Sequence, residues 1–251
     1  MSQFDLAKSS IEKFSLAVED YPATTPTGAV SVTGNAHDNQ LWVKDESYDA
    51  HIRINFNQTR GCRIFIGHKV RGDMEINLNG DNSVVYMGDH CDLKQLQIRS
   101  RQSNDLIAIG EEVSVAGNNV WVSGYGAGSR TPAIIVGDDC MFSYDIVIRN
   151  TDAHPVFDAN TDCQINEPQS AVHLEPHVWV GERTSILKDV TVGACSIIAL
   201  GSTVTKDAPR FSAIKGVPAT ASSQSDSYWA RDHSDFAIRQ AKYYRKKYAQ
   251  T

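Results

Sequence analysis

The sequence predicts an all-β fold in which short parallel strands stack as the coils of a solenoid. The first observation is a repeat of six residues, with aliphatic side chains at Leu174, Val180, Ile186, Val192, Ile198 and Val204. A period of six fits neither an α-helix nor an alternating strand. The second observation is a small or β-branched residue four positions after each of the first five: Val178, Thr184, Val190, Ser196 and Ser202. Hexapeptide repeats of this kind are typical of parallel β-helices, whose coils bury each other's faces.

Several stretches within residues 134–221 resemble a known family. They read HVWVG at 177–181, SILKDV at 185–190, LGSTVTKD at 200–207 and GVPA at 216–219. Upstream, RNTDAHP at 149–155 resembles a loop that carries a catalytic histidine. Together these motifs resemble the hexapeptide-repeat acyltransferases, most closely the O-acetyltransferases of surface polysaccharides. The resemblance implies a left-handed parallel β-helix with three hexapeptides per triangular coil, and a homotrimer.

The first part of the chain, residues 1–60, is predicted to be a helix and strand extension. Apolar residues in 4–19 follow a roughly helical spacing, and a polar linker follows at 21–28. The alternation in 51–56 (HIRINF) predicts a strand. This extension would widen an acceptor platform or cap the open end of the coil, and the sequence leaves both alternatives open.

The β-helix domain is predicted to span residues 61–221. Its earlier turns begin at Ile66, Met87, Ile109 and Val136, each followed by glycine. The intervals between them are not all multiples of six, so we expect inserted loops. One of these lies between Val136 and Leu174 and contains the DAHP sequence, and we expect a second, mobile loop at 124–128. Cys91 and Cys140 occupy small inward positions of the repeat and are predicted to fill the core.

The last part, residues 222–251, is predicted to contain a C-terminal helix. A polar linker at 222–227 precedes a helical pattern over 228–248. Trp229, Phe236, Ala237, Tyr243 and Tyr244 share one broad face of this pattern. We expect this helix to pack on the coil or on a neighbouring subunit, and contact of its basic end with phospholipid or a polyanion is the alternative.

Composition restricts the classes of function. A net charge of −6 argues against a nucleic-acid partner, which usually meets a basic domain. No run approaches the roughly 18 apolar residues of a membrane span, and the N-terminal residues have no apolar signal core. We therefore expect a cytoplasmic protein without an integral membrane segment. The 5 cysteines, an odd number without a C-x-x-C pair, argue against a disulfide framework.

His154 is the candidate general base. Acyl transfer from a thioester to an alcohol needs a base for the hydroxyl proton, and a histidine suits this role near neutral pH. In the resembling family the histidine at this position acts as general base. Asp152 would hold the imidazole tautomer or would only stabilise the loop. Trp179 is too large for an inward position, so we expect it to project outward and line the site, or to pack in a trimer.

Coenzyme A is predicted to bind along the last coils. Ala199, Gly201 and Ser202 are small residues whose backbone amides would be exposed along a groove for the pantetheine arm. Lys206 and Lys215 would contact phosphates as point charges. The chain departs from the family after the GVPA turn, where Thr220 and Ala221 replace the usual basic residue.

Taken together, the sequence predicts an O-acetyltransferase that moves an acetyl group from acetyl-CoA to a hydroxyl of a carbohydrate acceptor. One alternative is an N-acetyltransferase that acts on an amino-sugar nucleotide. Another is a catalytically silent β-helix that serves as a scaffold. A zinc lyase is a further alternative, because His173, His177, His68 and His90 lie in the coils, but their spacing does not match a three-histidine zinc site. We therefore assign no metal ligands.

Overall fold

The computed structural model describes residues 1–21, 30–34, 38–44, 49–124 and 132–250. Most of these residues form a left-handed parallel β-helix, which confirms the predicted fold. The coils have three faces, numbered here in the order in which the chain visits them. Each corner is named by the two faces that it connects.

The strands of each face pair in parallel with their neighbours one coil away. Face 1 contains β2 (Gln40–Val43), β4 (Arg63–Ile66), β6 (Val84–Met87), β9 (Leu106–Ile109), β12 (Ala133–Val136), β15 (Val172–Leu174) and β18 (Thr191–Val192). Face 2 contains β7 (Asp92–Leu93), β10 (Ser114–Gly117), β13 (Met141–Tyr144), β16 (Trp179–Val180), β19 (Ile197–Ile198) and β21 (Ser212–Gly216). Face 3 contains β1 (Val30–Thr33), β8 (Leu96–Ser100), β11 (Asn119–Ser123), β14 (Val147–Asn150), β17 (Ser185–Ile186) and β20 (Thr203–Val204).

Three further strands complete the β-structure. Both β3 (Asp49–Asn55) and β5 (Arg71–Leu78) run without a break through faces 2 and 3, so these two faces form one continuous sheet. The strand β22 (Ala219–Ser223) pairs with β21 in the antiparallel sense after the GVPA turn. The predicted linker at 222–227 is therefore wrong at its first two residues, which end this strand.

Every member of the predicted aliphatic column is buried, as are the small residues four positions on. Ile66, Met87, Ile109 and Val136 lie in one inward column, which confirms one turn of coil from each to the next. The expectation that tryptophan cannot occupy such a column is wrong at Trp121. This side chain lies fully inside face 3 and packs against Phe142, with ring centroids 5.1 Å apart. Phe142 belongs to the neighbouring coil, so two bulky side chains fill the core together at this level of the solenoid.

The N-terminal segment covers the outer surface of face 1. Helix α1 (Gln3–Ser10) starts with a capping box between Ser2 and Asp5. It ends sooner than the pattern over 4–19 predicts, and a single 3₁₀ turn (Val18–Asp20) follows. The cause is tertiary hydrogen bonding: Asp138 accepts from the Glu12 amide at 2.8 Å and its own amide donates to the Ser10 carbonyl at 3.1 Å. Strand β3 confirms the strand predicted at 51–56.

The C-terminal helix α2 (Asp235–Ala249) packs at corner 1–2. It begins later than predicted because Ser234 caps it and because residues 229–231, which are not helical, form hydrogen bonds with the coil. Of the predicted apolar face, Trp229, Ala237 and Tyr244 are buried, whereas Phe236 and Tyr243 are exposed. Neither helix in the described part of the chain is long and apolar enough to cross a membrane.

The predicted insertion between Val136 and Leu174 leaves the coil at corner 3–1. Strand β14 ends at Asn150 and β15 starts at Val172, so residues 151–171 form this insertion. Most of the loop predicted at 124–128 lies outside the described residues. Parallel pairing already begins with β1, β2 and β3, so the 1–60 extension continues the coil. The division into units at 61 and 222 stays a prediction.

Candidate active site

The loop of residues 151–171, called the histidine loop below, folds as a small hairpin outside the coil. An antiparallel bridge joins Phe157 to Gln164, and the Ile165 amide donates to the Val156 carbonyl at 2.9 Å. The carboxylate of Asp158 closes the tip by accepting the amides of Asn160 and Thr161, which lowers the pKa of Asp158. Apolar side chains at the hairpin base, Val156, Phe157 and Ile165, are more than half exposed.

Asn166 cross-links the two sides of the histidine loop. Its side-chain amide donates to Asp152 Oδ2 at 3.0 Å and to the His154 carbonyl at 2.9 Å. Its Oδ1 accepts the Val156 amide at 2.8 Å. A single side chain thereby holds the backbone at His154 and at Val156, and it also contacts the Asp152 side chain on the preceding side.

The neighbouring coil anchors this cross-linked loop. Lys188 Nζ lies 2.6 Å from Asp152 Oδ2 and donates to the Asn166 carbonyl at 2.6 Å. The next residue, Asp189, accepts the amides of Gln169 and Ser170 at 2.6 and 2.7 Å. Both anchors come from the turn at corner 3–1 that follows β17, so the coil itself dictates where the loop stands.

His154 is exposed on this loop. The carboxylate of Asp152 is engaged by Lys188 and Asn166. These contacts favour the second of the two roles considered for Asp152, which is to stabilise the loop. Its role in orienting the imidazole of His154 stays a prediction.

Trp179 projects outward from face 2, as expected. Its side chain is partly exposed, and it lies in register between Met141 and Ile197 of the adjacent coils. Its indole ring is 6.2 Å from that of Trp229 at corner 1–2. Corner 3–1 is the corner opposite face 2, so a single chain does not bring Trp179 together with His154.

The residues predicted to bind coenzyme A divide between two corners. Ala199, Gly201 and Lys215 lie at corner 2–3, and Lys206 lies at corner 3–1, one coil after Lys188. Lys206 and Lys215 are both exposed. Two cations therefore flank β20 from its two ends.

The expectation of free backbone amides at Ala199, Gly201 and Ser202 is wrong. These amides donate to the carbonyls of Ile214, Glu182 and Ala199. Ser202 is also buried, and its hydroxyl donates to the Ala199 carbonyl at 2.7 Å. The buried hydroxyl is thereby paired with a corner carbonyl and does not face the surface.

Gly201 retains the features of a contact surface. It adopts a φ of +71° at corner 2–3, and a Cβ placed there would meet nothing within 4 Å. Other coils place Gln95, Asn118, Asp145 or Arg183 in the same left-handed conformation. The glycine is therefore not required by packing within the chain, and it leaves this corner open to an approaching molecule.

Two histidines considered as metal ligands have other partners. His173 Nε2 lies 2.7 Å from Ser10 Oγ beneath the N-terminal segment, and burial lowers the pKa of His173. His177 Nδ1 lies 2.7 Å from Asp139 Oδ2, and its ring stacks on Trp229 at 4.0 Å. In the described ranges, no group of three or more His, Cys, Asp or Glu side chains is arranged to hold a metal ion.

The sequence reasoning missed Asn166, Lys188 and Asp189 as site residues. Lys188 and Asp189 lie within the SILKDV motif, two and three residues after Ile186 of the aliphatic column. Their position at a corner, where side chains point away from the core, was a usable signal. Asn166 carried no such signal, because it lies in the non-periodic insertion.

Comparison with known proteins shows the same architecture elsewhere. The structure superposes on the polySia-specific acetyltransferase NeuO with a TM-score of 0.65 and 24% identity, covering 90% of this chain and 93% of NeuO. It superposes on the polysialic acid O-acetyltransferase OatWY with a TM-score of 0.69 and 19% identity, covering 87% and 99%. The fold is that of these two acetyltransferases. The resemblance read from the motifs is thereby confirmed at the level of the fold.

Sequence comparison finds O-acetyltransferase relatives over part of the chain. A polysialic acid O-acetyltransferase of Escherichia coli O1:K1 / APEC is 31% identical over 121 residues, which cover 48% of this chain. That of Neisseria meningitidis is 29% identical over 129 residues, which cover 45%. The matched stretches span 39% and 60% of these curated relatives. No protein-family model matches the sequence.

Proposed function

We propose that this protein transfers an acetyl group from acetyl-CoA to a hydroxyl of a polysaccharide or its precursor. The observation that carries the proposal is the exposed His154 on an inserted loop that Asn166, Lys188 and Asp189 hold rigidly against an acetyltransferase fold. Such bracing suits a base that must meet a hydroxyl in one orientation.

In the proposed reaction, the imidazole of His154 accepts the proton of the acceptor hydroxyl while the oxygen attacks the thioester carbonyl. The tetrahedral intermediate then collapses with cleavage of the carbon–sulfur bond. The departing thiolate of coenzyme A takes the proton from the imidazolium, so that His154 ends the cycle neutral. The acetyl ester and coenzyme A thiol are the two products.

The proposed donor site lies on the last coils, where Ala199, Gly201 and Lys215 form an open corner and Lys206 lies beyond β20. The exposed ammonium groups would contact phosphates, and the space above Gly201 admits an extended arm. The hydrogen bonds of the corner amides argue that they shape this surface rather than bind the oxyanion.

We further propose that the working enzyme is a homotrimer and is cytoplasmic. Because His154 and Trp179 lie on opposite sides of one chain, a site containing both needs two copies. The exposed apolar side chains of the histidine loop, Phe157 and Ile165, would contact the neighbouring copy.

The first test measures thiol release from acetyl-CoA with a panel of sugar acceptors, comparing the wild-type protein with His154→Ala. Activity that collapses in the variant while coenzyme A binding persists supports the proposal. Equal rates on alcohol acceptors would reject His154 as the base and favour an amine acceptor. Absence of both activity and coenzyme A binding would favour the scaffold.

The second test mixes the inactive variants His154→Ala and Trp179→Ala after joint unfolding and refolding. If each site uses His154 of one copy and Trp179 of another, mixed assemblies contain intact sites and regain activity. Each variant refolded alone is the control. A mixture as inactive as its components, at an assembly mass that light scattering shows to be trimeric, would refute a site shared in this way.

A further inference from the structure

A polar groove crosses the early coils far from the histidine loop in sequence. It has a volume of about 400 Å³ and opens at the boundary of faces 2 and 3. Its lining combines one guanidinium, two carboxylates, three side-chain amides and one aliphatic side chain: Arg53, Asp73, Glu75, Gln95, Leu96, Gln97 and Asn118. None of these residues belongs to the candidate active site described above.

The groove has hydrogen-bonding capacity to spare. Glu75 accepts from Asn77 at 2.9 Å, and Gln97 accepts from Arg99 at 2.8 Å, which leaves each with a further oxygen or amide group. Within the described ranges, the side chains of Arg53, Asp73 and Asn118 make no hydrogen bond or ion pair. Planar donors and acceptors arranged in this way match the closely spaced hydroxyls of a sugar.

The charge of the groove lining favours an uncharged ligand over an anionic one. Asp73 and Glu75 outnumber the single cation Arg53. A polyanionic sugar chain would be disfavoured at this lining, since partly exposed like charges cost free energy that rises as salt falls.

The groove and the histidine loop share a face of the coil. On face 3, Gln97 is in register with Val120, and Val120 is in register with Val147 of β14. Strand β14 then crosses face 3 from Val147 to Asn150 before the chain enters the histidine loop at corner 3–1. The two strand spacings from β8 to β14 amount to roughly 10 Å. Val120 and Val147 lie between as an apolar surface on which the carbon face of a sugar ring can pack.

We propose that this groove is a second acceptor subsite, which binds uncharged sugar units of an oligosaccharide at a distance from the unit that is acetylated. The inference rests on the proposed function for its link to catalysis, because the acceptor chain would run along face 3 to His154. It commits the enzyme to an extended neutral acceptor, in contrast to the polysialic acid named for its relatives.

The test measures binding without acetyl-CoA, so that its outcome does not depend on catalysis. Saturation-transfer NMR and calorimetry would compare neutral hexasaccharides of glucose, galactose and N-acetylglucosamine with α2,8-linked hexasialic acid. The variant Arg53→Met/Asp73→Ala removes two exposed groups from strands that pack through other residues. The matched control Arg239→Met/Asp226→Ala makes the same exchanges at exposed positions in the C-terminal part.

We expect at least one neutral hexasaccharide to bind and the groove variant to weaken it five- to thirty-fold, as loss of two hydrogen bonds implies. The control variant should bind as the wild type does. Equal weakening in both variants, preference for hexasialic acid, or no binding of any neutral hexasaccharide would overturn the subsite. If thiol release with sugars is present while the subsite fails, the proposed function survives. If binding is present without transfer, the subsite survives instead.

Discussion

Replacing Lys188 by methionine tests whether the coil positions the histidine loop. The change keeps the length of the side chain and removes two contacts at 2.6 Å, one to the Asp152 carboxylate and one to the Asn166 carbonyl. Asp189 and its two amide bonds remain in place. The variant should therefore loosen the part of the loop around His154 without unfolding the coil.

The expected magnitude follows from the exposure of the two partners. A buried charge-assisted hydrogen bond contributes about 1.5–3 kcal/mol, but the Asp152 side chain is 45% exposed and water screens the pair. We therefore expect about 1–2 kcal/mol from both contacts together. That corresponds to a roughly 5- to 30-fold larger population of the open loop.

Limited proteolysis can measure this opening because the histidine loop contains Asp158, Asp162 and Glu167 as cleavage sites for an acid-specific protease. Cleavage within the loop should accelerate by the same factor, and kcat should fall more than KM rises. Lys246→Met, an exposed substitution on α2, is the matched control. Unchanged cleavage and an unchanged kcat would show that Lys188 does not hold the loop.

Three further predictions concern stability. Burial raises the pKa of Asp105 to about 7, so the folded state holds a proton that the unfolded state releases, and stability should fall as pH rises from about 4 to 7. Asp105→Asn should flatten this dependence in urea titrations by on the order of 4 kcal/mol, and parallel curves would contradict the assignment. Arg231→Met removes hydrogen bonds to Asp139, Ser114, Glu112 and Cys140, and it should lower the free energy of unfolding by about 2–4 kcal/mol. An unchanged urea midpoint would show that this arginine does not anchor the segment before α2. Gly201→Ala forces alanine into a φ of +71° and should lower the free energy of unfolding by about 1 kcal/mol, and Gly201→Asn should lower it less. The reverse order of the two variants in thermal melts would refute the backbone explanation.

The inward columns of the coil could be predicted from the sequence because every hexapeptide makes the same demand. An aliphatic residue such as Ile186 has nowhere else to pack when its neighbours one coil away are Ile148 and Val204. The position of the histidine loop was predictable for the complementary reason, since 38 residues from Val136 to Leu174 cannot all remain in register.

The helix boundaries could not be predicted because tertiary partners decide them. Ile11 leaves helix α1 where Asp138 of a distant coil replaces the helical hydrogen bonds. Trp229 fits the helical period of α2 but lies outside the helix, because its ring stacks on His177 and its carbonyl accepts a hydrogen bond from His177 Nε2. The role of the amides of Ala199 and Gly201 was unpredictable for the same reason, because their partners, Ile214 and Glu182, are one coil away.

The anchoring of residues 229–231 on the middle coils has a consequence for how the chain is made. Coils can stack one after another as they are synthesised, since each needs only its predecessor. During synthesis the Asp139 carboxylate, which is buried in the finished protein, can already contact His177. Its ion pair with Arg231 cannot form until residue 231 has been made, because Arg231 is 92 positions later in the chain. The middle of the solenoid is therefore completed last, and a nascent chain halted before Arg231 would keep this corner open to chaperones and proteases.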